Sequence, residues 1–134
     1  MRQVLEEVAV RNNTDIVTAR NSVRTYAKQM GFGLVDQSRI ATAVSELARN
    51  IVVYAKSGKV EIAKLNEGPK KGIEVVCEDN GPGIPDIEQA MSEGFTTGGS
   101  LGMGMPGTKK LVDEMNVWSE AGKGTRVTIR KFLK

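Results

Sequence analysis

Residues 72–85 read GIEVVCEDNGPGIP, and the change within this stretch from an apolar run to a run rich in glycine and proline decides how the chain folds. Residues 73–77 are almost continuously apolar, which is typical of a strand buried in the middle of a sheet. The strand must stop near Asp79, because a segment with two glycines and two prolines continues neither as a helix nor as a strand. Gly81 and Gly83 let a ligand ring approach the backbone closely, and the Asp79 carboxylate can accept a hydrogen bond from an amine. The alternative interpretation is a plain Asx turn with glycines at positive φ.

On either side of this stretch, the apolar periodicity predicts further strands and helices. The first helix can be capped by Thr14 or Asp15 and closed by Gly31, and the second begins at Asp36 and ends at residues 57–58. Strands are predicted over residues 2–11, 59–65, 72–78, 117–120 and 125–132, and helices over about 14–30, 36–55, 86–92 and from 105 or 106 to 115. Residues 66–71 are predicted to be a turn, and residues 94–104 a mobile loop.

The order of these elements predicts the fold class. Helices group with antiparallel hairpins and do not alternate strictly with strands. This order favours an α+β fold over a doubly wound sheet: a two-layer sandwich in which a mixed, largely antiparallel sheet carries its helices on one face. The length of 134 residues fits one domain, residues 1–134, which can fold without disulfides or metal.

The composition excludes several classes of function. The chain has no histidine and one cysteine, Cys77, which rules out Ser-His-Asp and Cys-His nucleophile systems and histidine-ligated metals. Cys77 lies in the apolar run and is expected to be a buried small hydrophobe. The net charge of +3 is spread along the chain and aromatic residues make up 4%, so no nucleic-acid partner is expected. Without a recognisable signal peptide or membrane span, we expect a cytoplasmic protein with no membrane partner.

Two polar side chains on the second helix form the next candidate feature. Glu46 and Asn50 lie four residues apart in the run SELARN, so they project from one side of the helix, at the rim of its apolar stripe. The alternative interpretation is a solvated polar pair, which is common on helices.

A glycine-rich segment leads into the last predicted helix. Its spacing includes G-x-G-x-x-G, but no strand precedes it, so a dinucleotide-binding interpretation fails. A Walker A loop fails as well, because Thr108 stands where a lysine is required. Exposed amides at a helix start still suit a phosphate chain, and a flexible surface loop is the alternative. The glycines concerned are Gly98, Gly99, Gly102, Gly104 and Gly107.

Together these three features describe one site. The Asp79 carboxylate would bind an amine, and the glycine amides would hold phosphates. Mg²⁺ prefers oxygen ligands and takes few from the protein, so the side-chain oxygen of Asn50 suits it. Glu46 is then available as a base for an incoming hydroxyl or water.

In this order, the three segments resemble those of the GHKL superfamily, which comprises gyrase, Hsp90, histidine kinases and MutL. A fourth match is the pair at residues 124–125, and the resemblance covers residues 36–132. Within the superfamily, the chain resembles the RsbT-type switch kinases of the bacterial stressosome. That resemblance lies in the runs GFG at 31–33, DQSRI at 36–40, SELARN at 45–50 and DNGPGIPD at 79–86.

The resemblance implies a Bergerat ATP-binding fold and Mg-ATP-dependent phosphorylation of serine or threonine on STAS-domain proteins. It also implies that the released kinase binds and activates a metal-dependent protein phosphatase in a sigma-factor stress pathway. It makes Glu46 the base, Asn50 the magnesium ligand and Asp79 the residue that binds the adenine amine, with Thr125 nearby. By the same resemblance, the adenine pocket is shaped by Gly81 and Gly83, and the lid and phosphate grip are formed by Gly98, Gly99, Gly102, Gly104 and Gly107.

One position departs from the pattern of the relatives. Anti-sigma kinases often carry histidine four residues after this asparagine, and histidine kinases carry lysine three or four after it. Here Val53 and Tyr54 hold those places, which leaves open which residue makes the phosphate contact. Two alternatives to a kinase remain: an anti-sigma-like module that binds a partner in an ATP-dependent manner, and an ATPase module of the gyrase kind.

Overall fold

A computed structural model describes residues 1–81, 104–120 and 122–133, with the backbone alone at 104 and 105. Its strands are β1 (Arg2–Val10), β2 (Gly58–Glu67), β3 (Lys70–Asp79), β4 (Glu114–Glu120) and β5 (Gly124–Phe132). Its helices are α1 (Asn13–Gln29), α2 (Leu34–Asn50) and α3 (Gly104–Leu111), and a π-helical turn (Ile51–Ala55), called the π-turn below, continues α2. None of these helices combines the length and apolar character that crossing a bilayer requires.

The sheet has the order β1-β2-β3-β5-β4, and every neighbouring pair is antiparallel. β3 lies in the middle, as its apolar run predicts, with Val75 opposite Ile62 on one side and Ile129 on the other. α1 contacts β1, α2 contacts β3, and α3 packs on α2. The predicted α+β fold with helices on one face of a largely antiparallel sheet is therefore confirmed. The buried sheet residues of this core are Val8, Val10, Val60, Ile62, Ile73, Val75, Cys77, Val127 and Ile129.

The start of α1 differs from its prediction, whereas its end agrees. The cap is Asn12, whose side-chain oxygen accepts a hydrogen bond from the Asp15 N–H at 3.0 Å, so the prediction of Thr14 or Asp15 is wrong by a few residues. Asn12 has the extended backbone that a cap needs, and an asparagine oxygen satisfies one of the free N–H groups of the first turn. Gly31, with φ of 98°, ends the helix as predicted.

α2 begins at Leu34, two residues before the predicted Asp36, and its cap is Gly33, which offers no side-chain hydrogen bond. The helix continues without a break into the π-turn, which ends at Lys56 with φ of 70°. The predicted end at residues 57–58 is thus close, but the change from α to π geometry after Asn50 has no signal in the apolar periodicity.

The last helix is shorter than predicted. It was expected to reach Met115, but α3 ends at Leu111 and β4 already begins at Glu114. Strand pairing explains the difference, because Met115 lies opposite Ile129 and the Asp113 N–H donates to the Arg130 carbonyl at 3.0 Å. The β2–β3 connection is also tighter than the predicted 66–71, since only residues 68 and 69 lie between the strands. The predicted helix over 86–92 and most of the loop over 94–104 lie outside the described residues.

The face of the sheet away from the helices carries a row of charges centred on Glu74, whose side chain is only 6% exposed. Arg2 donates to one carboxylate oxygen, and Arg130 donates to the other at 2.7 Å. Burial by itself would raise the pKa of Glu74, but the hydrogen bonds and positive charges of the two arginines outweigh it and lower that pKa below 4.5. The carboxylate therefore holds β1, β3 and β5 together in its ionised form.

Glu74→Gln is expected to lower the free energy of unfolding near pH 7 by about 1–2 kcal/mol, because charge-assisted hydrogen bonds to both arginines are lost. A carboxylate whose pKa is lowered by folding stabilises the folded protein at pH values above its ordinary pKa of 4.5. That contribution is lost as the pH falls through the lower pKa of the folded state. The difference between wild type and variant should therefore shrink in urea unfolding at about pH 3. The exposed Glu67→Gln serves as control. A difference that stays constant between the two pH values would contradict this account.

Candidate functional site

Glu46 and Asn50 occupy the last turns of α2, as predicted, and both are half-buried. The Oε2 atom of Glu46 is buried and, within the described part of the chain, has no hydrogen-bond partner. A buried carboxylate oxygen without a partner is costly and uncommon in native structures, where such atoms are usually satisfied. The unpaired oxygen therefore indicates a position kept for a ligand or a reacting group, rather than a solvated polar pair.

The π-turn carries α2 towards the end of β3. Its hydrogen bonds widen the helix by one residue per turn, a geometry that often marks functional sites. A Cβ atom built on Gly58 would lie 2.8 Å from the Cγ2 atom of Ile51, and one built on Gly81 would lie 2.5 Å from the Cβ atom of Ala55. Both ends of the π-turn therefore pack directly on the backbone beside Asp79. This packing joins the helix that carries Glu46 to the loop that follows Asp79.

Asp79 ends β3 and lies opposite Gly58 on β2 and Thr125 on β5. Its Oδ1 atom accepts a hydrogen bond from the Gly81 N–H at 2.9 Å, so the Asx turn considered as the plain alternative is present. The turn uses one carboxylate oxygen, and no hydrogen bond from the described residues reaches Oδ2. The Asx turn fixes the carboxylate and leaves one oxygen for a ligand, so the two interpretations are compatible.

Three glycines allow the backbone to close around Asp79. A Cβ atom would lie 2.4 Å from the Glu78 carbonyl oxygen if built on Gly58, and 2.1 Å from the Asp79 carbonyl oxygen if built on Gly124. Gly124 also has φ of 120°, which side chains rarely adopt. Gly81 completes the set through its contact with Ala55. The sequence predicts Gly58 only at the end of a helix, and Gly124 only in a hairpin turn and a family match. Their role depends on strand register, which a single sequence does not reveal.

Thr125 is held by a neighbour that sequence reasoning missed. The hydroxyl groups of Thr125 and Ser119 lie 3.1 Å apart, and Ser119 also donates to the Gly124 carbonyl at 3.0 Å. Ser119 lies opposite Thr125 in the β4–β5 pairing, so the two hydroxyls share the sheet end that carries Asp79. No local motif around Ser119 signals this position.

The glycine-rich segment is described only in part. Gly104 is the first residue of α3 and Gly107 lies in its first turn, so these two glycines stand at a helix start, one residue earlier than predicted. Thr108 is completely buried. Gly83, Gly98, Gly99 and Gly102 lie outside the described residues, and their predicted places in the adenine pocket and phosphate grip stay predictions.

Cys77 is buried, and burial raises the pKa of its thiol to about 12. A thiol with this pKa is protonated at neutral pH and is a poor nucleophile. The prediction of a buried small hydrophobe is confirmed.

Residues 35–134 match the family model of histidine kinase-, DNA gyrase B- and HSP90-like ATPases. The chain belongs to this family, as its four matching segments predict. It is 50% identical over 127 residues to serine/threonine-protein kinase RsbT of Bacillus subtilis (strain 168), a match that covers 95% of this chain and 96% of that protein. The predicted class of enzyme, a serine/threonine protein kinase, is confirmed by this similarity.

Three further similarities extend the picture. The chain is 36% identical over 121 residues to the anti-sigma F factor of Thermoanaerobacter sp. (strain X514), covering 86% of this chain and 83% of that relative. The RsbU and RsbW domains of Rv1364c from Mycobacterium tuberculosis share its fold with a TM-score of 0.64 at 18% identity, over 96% of this chain and 33% of theirs. The catalytic domain of histidine kinase ThkA matches at a TM-score of 0.50 and 20% identity, over 96% of both chains.

Gly124→Ala is expected to destabilise the protein by about 2–3 kcal/mol, because the new methyl group would meet the Asp79 carbonyl as well as straining the backbone. The matched control is Gly122→Ala. Gly122 also has a positive φ, of 77°, but a Cβ atom there has nothing within 4 Å. That variant should cost only about 1 kcal/mol of backbone strain in urea unfolding. Equal losses for the two variants would show that the contact with Asp79 contributes nothing.

Proposed function

We propose that this chain is a cytoplasmic serine/threonine kinase, acting as one domain over residues 1–134, that transfers the γ-phosphoryl group of ATP to a STAS-domain protein. We further propose that the released kinase binds and activates a metal-dependent protein phosphatase in a sigma-factor stress pathway. The observation that carries the kinase proposal is the buried Oε2 atom of Glu46, four residues before Asn50 on α2, which has no hydrogen-bond partner among the described residues. The STAS substrate and the phosphatase rest on the resemblance to the RsbT-type kinases.

ATP fits the residues around Asp79. The Oδ2 atom of Asp79, which no hydrogen bond from the described residues reaches, would accept one from the adenine amine, with Thr125 beside it. A Cβ atom on Gly81 would meet both the Asp79 carboxylate and Ala55, so the glycine keeps the space between this carboxylate and the π-turn free of a side chain. By the resemblance to the family, the proposed pocket extends to Gly83. The phosphates would lie against the glycine-rich segment, which comprises Gly98, Gly99, Gly102, Gly104 and Gly107. The start of α3 supports this placement, because the first N–H groups of a helix have no partner within the helix and favour anions.

Mg²⁺ fits the donor set at the end of α2. The side-chain oxygen of Asn50 is the proposed protein ligand, since Mg²⁺ usually takes one or two protein oxygens and completes its shell with phosphates and water. Bound Mg²⁺ would neutralise phosphate charge during transfer. Asn50 immediately precedes the π-turn, so its side chain is placed by the same element that contacts the Asp79 loop.

Glu46 supplies the base. The hydroxyl oxygen of the acceptor forms a bond to the γ-phosphorus, the bond from that phosphorus to the bridging oxygen breaks, and ADP leaves. The hydroxyl proton passes to the Glu46 carboxylate. Phosphoryl transfer depends mainly on positioning and charge neutralisation, so a carboxylate fixed by α2 suffices without histidine. The chain contains none.

Glu46→Gln should reduce transfer about 100-fold or more, the range that general bases contribute, while ATP affinity changes by less than about twofold. The measurement uses labelled Mg-ATP and a single-domain STAS protein from the same genome, with the label assigned to serine or threonine. Glu67→Gln is the control. Transfer at the wild-type rate by the Glu46 variant would rule out the base assignment.

A second candidate function has one supporting observation, the similarity to an anti-sigma F factor. In that case the chain would hold a partner in an ATP-dependent manner. The transfer assay separates the two functions, because ATP binding by the wild type with no transfer to any STAS protein would favour the binding module.

Asp79→Asn should weaken ATP binding about 10- to 100-fold, since a charge-assisted hydrogen bond to the adenine amine is replaced by a neutral one or lost. Isothermal titration calorimetry measures this directly. Glu78→Gln is a matched control one residue earlier, because Glu78 pairs with Arg126 on the opposite face of the sheet. Unchanged affinity in the Asp79 variant would mean that another group binds the adenine.

A further inference from the structure

A groove between the start of α2 and the end of α3 is left open to solvent. It has a volume of about 380 Å³ and is called the α2 groove below; its lining residues are Leu34, Val35, Ser38, Arg39, Thr42 and Leu111. Leu34 is 75% exposed and Val35 63%. Apart from Met1, no large apolar side chain in the described part of the chain is more exposed than these two.

Folding does not account for these two residues. The first turn of α2 has the acidic residue that suits a helix start, Asp36, but Leu34 and Val35 supply neither a cap nor a charge. Apolar side chains that stay in water contribute little to stability. A contiguous exposed apolar patch with a polar rim is typical of an interaction surface.

Contacts on two sides hold the first turn of α2, which lines the α2 groove. The Gln37 side chain is buried and donates to the Phe32 carbonyl at 2.8 Å. This hydrogen bond fixes the first turn of α2 to the connection between α1 and α2. The buried Lys131 ammonium lies 3.8 Å from Asp36 and 3.4 Å from Asp113, which ties the same turn to β5 and to the segment after α3. A surface held in this way loses little conformational entropy on binding.

The α2 groove points at the proposed base. Leu34, Ser38, Thr42 and Glu46 are spaced by four residues, so each is next to the following one on a row that winds about 120° around α2. At a rise of 1.5 Å per residue, Thr42 lies about 6 Å and Leu34 about 18 Å along the helix before Glu46. Thr42, which lines the groove, is one helical turn from Glu46, so a protein that fills the groove and extends along α2 reaches the proposed base.

Among the described residues, one cation lines the α2 groove: Arg39, whose side chain is half-exposed. The acid at this rim, Asp36, is already shared between Arg39 at 3.4 Å and Lys131 at 3.8 Å. The charge favours a partner surface that combines apolar side chains with acidic ones.

We propose that the α2 groove docks the protein whose serine or threonine is phosphorylated. An apolar side chain of that protein fills the space between Leu34, Val35 and Leu111, and an acidic group faces Arg39. The docked protein then presents its hydroxyl to Glu46. The identity of the occupant as the phosphoryl acceptor rests on the proposed function.

The test introduces a negative charge into the groove through Leu34→Glu and Val35→Glu. Both side chains are exposed, so folding is preserved, which thermal melts check. Affinity for the single-domain STAS protein is measured by calorimetry with Mg-ADP present, and KM and kcat by phosphotransfer.

Each variant should raise Kd and KM about tenfold or more, with kcat and the Kd for ATP changed by less than about threefold. Arg39→Glu should act in the same direction. Val4→Glu is the matched control, because Val4 is 51% exposed on the sheet face away from the helices.

The outcomes separate docking from catalysis. If Kd and KM of both groove variants equal those of the wild type, the docking proposal is overturned and the kinase proposal stays intact. Binding that depends on the groove without transfer by the wild type would support docking and overturn the kinase proposal. A wild-type chain that does not bind the STAS protein would overturn the choice of occupant. If instead Leu34→Glu changes the sedimentation of the chain alone, the groove is a contact between two copies and the docking proposal is wrong.

Discussion

The pairing of β3 with strands on both sides is the constraint on which the rest of the structure depends. β3 is the central strand, and its last residue, Asp79, lies between Gly58 on β2 and Thr125 on β5. Any slip of one residue in either pairing would turn the core side chains of β3 to the opposite face. The same register that buries the core therefore fixes the carboxylate at the end of the strand.

α2 connects the two ends of the proposed machinery. Its first turn lines the α2 groove, its last turns carry Glu46 and Asn50, and the π-turn places Ala55 against Gly81. Because a helix is stiff, the distance between a docked partner and the proposed base is set by the number of helical residues. The proposed docking and transfer functions thus share one rigid element, and the buried Lys131 holds its start against the sheet.

Charge is used differently on the two faces of the sheet. On the face away from the helices, Glu74 is compensated by Arg2 and Arg130, which lower its pKa and keep it ionised. On the helix side, the Oε2 atom of Glu46 is buried with no partner among the described residues. Paired buried charge is typical of a structural role, whereas an unpaired oxygen is costly unless a ligand or reaction uses it. This contrast separates the carboxylate that stabilises the fold from the carboxylate proposed to act.

The sequence by itself determined the central strand, the Asp79 turn and the placement of Glu46 and Asn50 on one side of a helix. These follow from local periodicity and from residue types whose backbone preferences act within a few positions. Only the tertiary structure decided that the strand predicted over 117–120 begins at residue 114, because pairing with β5 outweighs the local helical pattern there. It also decided the approach of Gly58 and Gly124 to Asp79 and the exposure of Leu34. Such features depend on contacts between segments far apart in the chain, and no local pattern encodes those contacts.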